Sequence, residues 1–202
     1  MRSDHARAVV AHYDERAASY DESTMHRLLA ASVADWLIID GAEVVLDVAT
    51  GTGLMLRSLA ERPPDLRLVG VDLSPSMLAV ACDALPGAAF VLGDAAALPV
   101  ADGSVDLLTC ITALHLFDQP GHVLAEWGRV VRSGGRVVTA TFRPAEKHIR
   151  GPHRGGFVRR HDSYRSPELI AGAFAPHGFT LERHADWEDG EDRLLVCEMS
   201  AR

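Results

Sequence analysis

Hydrophobic residues recur along this chain in two rhythms. Near the N-terminus they follow helical steps: Val9, Tyr13, Ala17 and Tyr20 stand three or four residues apart, and a second apolar stretch runs from Leu28 to Ile39. Gly41 ends that pattern, and short β-branched runs then alternate with helical ones. Val44 to Ala49, Leu68 to Asp72, Ala89 to Leu92, Val105 to Ile111 and Val137 to Phe142 read as strands. Leu54 to Arg62 reads as a helix stopped by Pro63-Pro64. Ser74-Pro75 supplies a cap and a first-turn proline for the next helix, which ends near Leu85-Pro86-Gly87. Pro120 to Val131 is a further helix, closed by Ser133-Gly134-Gly135, and Ser166-Pro167-Glu168 caps one that reaches about Ala175. Phe179 to Trp187 and Arg193 to Met199 form a final pair around the acidic turn Glu188 to Asp192.

Strands alternating with helices at this spacing predict a parallel sheet with helices on both faces. The last two strands have only a turn between them, so one of them runs antiparallel. The expected architecture is an open, mostly parallel α/β sheet with a hairpin at its end, built as a single domain over residues 1–202. In such sheets ligands bind beyond the carboxyl ends of the strands. The residues just after each strand therefore carry the functional information.

Composition narrows the classes. With 48% hydrophobic and 24% charged residues, the chain is not disordered. The apolar runs are too short to span a membrane and the N-terminus shows no signal core, so no membrane partner is expected and the cytoplasm is the expected location. Cys82, Cys110 and Cys197 are scattered and odd in number, which argues against a disulfide framework or a cysteine zinc site. The histidine spacings match no metal motif, so no metal is expected. A net charge of −8 argues against nucleic acid as a partner. The charge is uneven, however: Arg143 to Arg165 holds seven Lys/Arg against Glu146 and Asp162, a net of +5 that leaves −13 on the rest.

The first strand runs into Asp47-Val48-Ala49-Thr50-Gly51-Thr52-Gly53. Glycines there admit a ligand to the backbone and make a tight entry into the following helix. A dinucleotide fingerprint would need a small residue where Leu56 stands, and the Asp47 carboxylate would repel a pyrophosphate. A ligand with an ammonium group and no phosphate suits this turn better. Asp72, nineteen residues after Gly53, can accept hydrogen bonds from both hydroxyls of a ribose. Asp94 can accept from an exocyclic amine, the Ala95 amide can donate to a ring nitrogen, and Leu73 and Met77 offer apolar faces to a purine.

In combination these segments resemble the class I S-adenosylmethionine-dependent methyltransferases, especially the branch with the ubiquinone and menaquinone C-methyltransferases. VVLDVATGTG (Val44 to Gly53) resembles their first motif, with Ala49 in place of the usual first glycine. VGVDLSPSMLAVA (Val69 to Ala81), GDAAALPVADGSVDLLTC (Gly93 to Cys110) and EWGRVVRSGGRVV (Glu126 to Val138) resemble the later ones, with Ser133 where proline is usual. HYDERAASYD (His12 to Asp21) is similar to the family's N-terminal helix. The resemblance implies a Rossmann-like seven-stranded sheet of order 3-2-1-4-5-7-6 with the seventh strand antiparallel, and S-adenosyl-L-methionine as cofactor. By the same resemblance Asp47 and the amides from Gly51 to Gly53 hold the methionine end. Asp72 holds the ribose, and Asp94 and Ala95 hold the adenine. Ile111 and Thr112 line the sulfonium side, and Tyr20 closes the methionine end.

Residues 1–40 are then expected to form a helical lid, and 143–165 a basic loop on the acceptor side. His115, just past the fourth strand, is the best placed histidine for a general base, against a reading as a structural histidine. Arg159 and Arg160 are candidates for binding an anionic acceptor. The expected partner is a small-molecule acceptor, in a monomer or homodimer. A nicotinamide oxidoreductase is opposed by Asp47 and Leu56. A nucleic-acid base methyltransferase is opposed by Thr112-Ala113-Leu114-His115 and the net charge. A non-catalytic cofactor-binding or interaction protein of the same fold is the remaining alternative.

Overall fold

Seven short runs of β-branched and aliphatic residues pair into one sheet. They are β1 (Val44–Val48), β2 (Arg67–Asp72), β3 (Ala89–Leu92), β4 (Val105–Ile111), β5 (Val131–Phe142), β6 (Phe179–Glu188) and β7 (Arg193–Ala201), in the order β3-β2-β1-β4-β5-β7-β6. The first five run parallel to one another, and β7 is antiparallel to both β5 and β6. This is the Rossmann-like order that the family resemblance implied. The computed structural model describes residues 3–39, 41–62, 66–143, 156–190 and 192–202. Pro63, Pro64, Glu146, Lys147, His148, Arg150, Gly151, His153, Arg154, Gly155 and Glu191 lie outside the described residues, so the expected helix stop and much of the expected basic loop do too.

Alternation along β1 sorts its side chains onto two faces. Leu46 and Val48 join a core with Val123, Leu124 and Trp127 of α5 (Pro120–Val130) and Ile170 and Phe174 of α6 (Pro167–Phe174). Val45 joins a second core with Leu29 and Val33 of α2 (Thr24–Trp36) and Met55, Leu56 and Leu59 of α3 (Leu54–Ala60). Burial of each such aliphatic side chain contributes about 1.5–3 kcal/mol. Arg183 joins the terminal hairpin to α2: it bonds Glu198 Oε2 at 2.7 Å, donates to the Trp36 carbonyl at 3.0 Å and lies over the Trp36 ring at 3.7 Å.

One boundary differs from the sequence reading. Ser133-Gly134-Gly135 reads as a turn closing a helix, but α5 stops at Val130 and β5 begins at Val131. The register with β4 shifts between Val105 and Leu107, and Gly134 adopts φ +72°. The triplet is therefore a kink within the strand, where three extra residues of β5 are absorbed between the Val105–Val131 and Leu107–Arg136 pairs. Among the described residues no helix is long and apolar enough to cross a membrane.

The N-terminal segment crosses the carboxyl end of the sheet. Ser3 caps α1 (Asp4–Arg16), a 3-10 turn follows over Ala17–Glu22, and Ser23 caps α2. Asp14 accepts from the Ser74 hydroxyl and from the Ser76 N–H, which docks α1 onto the start of α4 (Pro75–Ala84). Asp21 accepts from Thr52 Oγ1 and from Arg57 Nη2, which ties the 3-10 turn to the glycine turn and to α3.

Candidate active site

Between the N-terminal segment and the strand ends lies a cavity of about 350 Å³, within the usual size range of small-ligand sites. Ten of the expected site residues line it: Tyr20, Ala49, Gly51, Asp72, Leu73, Met77, Asp94, Ala95, Ile111 and Thr112. They come from the ends of β1, β2, β3 and β4 and from the segment above them. Among the described lining residues there is no lysine or arginine.

The turn after β1 is held by its neighbours. Ala49 adopts φ +57° and Gly51 φ +56°. The first value explains why a glycine is usual at that position, since a side chain there is disfavoured by about 1–2 kcal/mol. Beneath the turn, Gly70 admits Phe90 and Thr50: a Cβ there would meet the Phe90 ring at 2.7 Å and the Thr50 methyl at 2.9 Å.

Asp72 is the best anchored acceptor in the cavity. Its Oδ2 accepts from the Gly51 N–H and its Oδ1 from the Ser74 N–H, both at 2.8 Å. The Leu73 N–H also donates to this carboxylate, which keeps a lone pair for a ligand hydroxyl. Burial raises its pKa, against the opposing effect of the backbone hydrogen bonds from Ser74, Gly51 and Leu73. Asp94 Oδ1 accepts from the Ala96 N–H at 3.0 Å. The loop that follows is fastened from α5: Glu126 accepts from the Leu98 N–H at 2.7 Å, and Arg129 donates to the Leu98 and Val100 carbonyls. Glu126 and Arg129 therefore position the loop that carries Asp94 and Ala95, a role that sequence reading missed. They stand three positions apart, about one helical turn, which is the available signal.

Asp47 lies elsewhere than the reading of its sequence position implies. It is 2% exposed and is not among the residues lining the cavity. Thr50 and Thr109 each donate a hydroxyl to it at 2.6 Å, so it sits under the turn and braces it. Burial raises its pKa to about 6, opposed by the two threonine bonds and reinforced by the nearby Asp72 charge. Gly53, at φ +78°, opens α3 and also lies outside the lining.

His115 is likewise outside the lining. Residues Leu114–Leu116 form a 3-10 turn, and the imidazole is 2% exposed, stacked on His161 at 4.1 Å and edge-on to Phe142 at 5.8 Å. A general base must reach the proton it removes; the turn instead aims this ring into the packing between β5 and the His161–Tyr164 turn. Arg160 donates to Asp118 at 3.1 Å, and Arg159 lies over Phe157 at 5.4 Å. Neither lines the cavity, although Asp118 does. No group of three or more potential metal ligands occurs among the described residues.

The cavity extends beyond the expected residues. Ala6, Val9 and Tyr13 of α1 line it with Phe117, His122 and Val123. His5, another lining residue, donates from Nε2 to the Leu116 carbonyl at 2.7 Å, since a carbonyl only accepts. Ala6, Val9 and Tyr13 stand at helical spacing, which predicts their shared face but not the surface it covers. Over the other end, the Tyr20 hydroxyl is hydrogen-bonded to Thr112, and burial raises its pKa. Its ring lies 4.6 Å from that of His26, whose pKa burial and the Arg16 charge lower to about 4.

Known proteins match this arrangement. A family model described as a methyltransferase domain matches residues 46–139. The chain is 31% identical over 163 residues to a demethylmenaquinone methyltransferase of Thermus thermophilus, covering 68% of this chain and 74% of that protein. It is 34% identical over 140 residues to the demethylmenaquinone methyltransferase of Thermotoga maritima, covering 65% of this chain and 60% of that protein. The chain thus spans about three quarters of the one and less than two thirds of the other. Among solved structures, magnesium protoporphyrin IX methyltransferase from Synechocystis with bound S-adenosylmethionine shares the fold, with a TM-score of 0.73 at 17% identity over 100% of this chain and 99% of that one. The chain belongs to the class I S-adenosylmethionine-dependent methyltransferases, with S-adenosyl-L-methionine as its cofactor.

Proposed function

We propose that this cavity binds S-adenosylmethionine and that the protein methylates a small-molecule acceptor. The observation that carries this reading is the Asp72 carboxylate: it lines the cavity with both oxygens fixed by backbone N–H groups and with Asp94 as a second acceptor nearby. Acceptors with no lysine or arginine among the described lining residues suit a ligand rich in hydroxyl and amine donors and free of phosphate. The apolar faces of Leu73 and Met77 suit a purine, and Gly51 keeps the floor open, since a Cβ there would meet only the Met77 sulfur at 4.0 Å.

When bound, the cofactor supplies a methyl group already activated on a sulfonium sulfur. The work left to the protein is alignment and dryness, and alignment alone can be worth roughly 7–11 kcal/mol. Asp72 and Asp94 fix the nucleoside, and the Ala95 N–H is available to a ring nitrogen. Tyr20, held to Thr112, closes the far end, and the negative charges of Asp47 and Asp72 favour a cation above them. Residues 3–36 act as a lid, latched by Asp14 and Asp21. The acceptor enters beside α1, where Ala6, Val9, Phe117 and Val123 offer an apolar wall. A flat ring suits that wall, and the quinone-type names of the relatives support such an acceptor. His115 takes no proton from it, because it does not face the cavity.

The test uses methyl-labelled S-adenosylmethionine with cell extract separated into small-molecule and macromolecular fractions. Label should appear in the small-molecule fraction. Label that precipitates with protein or nucleic acid would refute the acceptor class.

A further inference from the structure

His5 stands in the first turn of α1 and lines the cavity. Its imidazole is held from two sides. Nε2 donates to the Leu116 carbonyl at 2.7 Å, and the ring meets that of Phe157 edge-on, 6.1 Å away at 77°. Phe157 is itself fixed: it is 6% exposed and lies 5.4 Å from the His12 ring. Three residues on, the Arg160 N–H donates to the His115 carbonyl at 2.8 Å. A carbonyl only accepts, so Nε2 carries the proton of the neutral His5 ring and Nδ1 is left as its basic nitrogen. An oriented imidazole of one tautomer at the wall of a ligand cavity is what general-base chemistry needs.

Sheet order gives the end of the cavity that His5 serves. Asp72 ends β2 and Asp94 follows β3, on one side of β1. Leu116 follows β4 and Phe157 follows β5, on the other side. His5 is fastened to both, so α1 carries it away from the nucleoside acceptors and over the segment after β4 that also holds Thr112. His122, the other imidazole among the described lining residues, lies on the helix whose Glu126 fastens the Asp94 loop, at the nucleoside end. We infer that His5 is the general base of the reaction and that the acceptor presents a phenolic hydroxyl to it. This rests on the small-molecule reading above and names the reacting group and the residue that serves it. A phenol ionises near pH 10 in water, about three units above neutrality, so its proton must leave during transfer. With no lysine or arginine among the described lining residues to hold a phenolate beforehand, a neutral base removes it. Nδ1 takes the proton while an oxygen lone pair forms the bond to the methyl carbon. The C–S bond breaks with its electron pair left on sulfur. The products are an aryl methyl ether, a neutral thioether and an imidazolium that returns its proton to water. Val9, four residues on, shares the His5 face of α1 and gives the aromatic ring its apolar contact.

The experiment follows single-turnover transfer from methyl-labelled S-adenosylmethionine to the small-molecule fraction of cell extract. His5→Gln is the informative variant, because its amide keeps a donor for the Leu116 carbonyl and has no basic nitrogen. Transfer should slow by roughly 10²–10⁴-fold, with Tm and affinity for S-adenosylhomocysteine unchanged. His5→Ala should regain rate when imidazole is added. Hydroiodic acid should release the label from the product as methyl iodide, as it does from an aryl methyl ether. Nitrogen NMR should show the neutral His5 ring, assigned by its loss in His5→Gln, with its proton on Nε2. A His5→Gln rate equal to the parent's, no rescue by imidazole, label in a C-methyl group, or a proton on Nδ1 would each overturn the inference while leaving the proposed function intact. A matching loss of S-adenosylhomocysteine affinity in His5→Gln would also overturn it, because the ring would then serve the cofactor. Label that never enters the small-molecule fraction would instead strike the proposed function, and the inference with it.

Discussion

Asp47→Asn should make the protein more stable at neutral pH and a poorer host for S-adenosylmethionine. The Asp47 carboxyl is buried, and its pKa is raised from 3.8 to about 6. Between those values the unfolded chain gives up a proton that the folded chain keeps. Stability is therefore fully present below about pH 4, falls as pH rises to about 6 and stays lost above. At 1.36 kcal/mol per unit the loss is about 3 kcal/mol. Asparagine has the same shape and no charge to bury. Its oxygen can still accept from one threonine and its amide can donate to the other, with about 1 kcal/mol lost because neither bond is charge-assisted. The net gain at pH 7.5 is about 1–3 kcal/mol, a rise in Tm of roughly 2–10 °C for a chain of this size. Thermal melts of parent and variant at steps between pH 4 and pH 8 read this carboxyl together with the Asp72 coupled to it, since distant groups cancel in the difference. The curves should nearly meet at pH 4 and separate by pH 7. Curves that stay parallel, or a variant less stable than its parent at pH 7.5, would refute the reasoning. The variant should also bind S-adenosylmethionine less well, and lose less affinity for S-adenosylhomocysteine, which lacks the sulfonium charge.

Three further outcomes are expected. Asp72→Asn should weaken S-adenosylhomocysteine by about 2–4 kcal/mol in a calorimetric titration, because the new amide faces the Gly51 or Ser74 N–H and one ligand acceptor is gone; an unchanged Kd would remove the ribose assignment. Asp21→Asn should loosen the latch to Thr52 and Arg57, so that S-adenosylhomocysteine dissociates several-fold faster in stopped-flow, and an unaltered rate would mean that residues 3–36 do not gate the cavity. Gly70→Ala should cost about 1–3 kcal/mol in urea denaturation by crowding Phe90 and Thr50, with a neutral result showing that the ring yields freely.

How much of this was legible follows from which interactions are local. Strand positions, helix caps at Ser74 and Ser166 and the terminal hairpin are written in neighbouring residues, and the sheet order followed from the family resemblance that those residues carry. The start of β5 was hidden because Ser133-Gly134-Gly135 carries the usual turn composition, and it belongs to the strand only through the Val131 and Arg136 pairs with β4 that flank it. Asp47 and Asp72 look alike in sequence as acids on adjacent strands. Which one faces the cavity depends on Thr109, sixty-two positions from Asp47, which claims the first of them from a neighbouring strand. The ring direction of His115 depends on His161 and Phe142 in the same way. Spacing shows that α1 has an apolar face, but the surface beneath it is set by the long-range bonds of Asp14 to Ser74 and Ser76.

The central claim is that the cavity beneath α1 is where the nucleoside of the cofactor is read by Asp72 and Asp94. A crystal structure of the protein with S-adenosylhomocysteine tests it most directly. The account predicts both ribose hydroxyls within hydrogen-bond distance of the Asp72 carboxylate, the adenine amine on Asp94, and Asp47 still bonded only to Thr50 and Thr109. A nucleoside bound elsewhere, or an Asp72 that keeps only backbone N–H groups as partners, would contradict it.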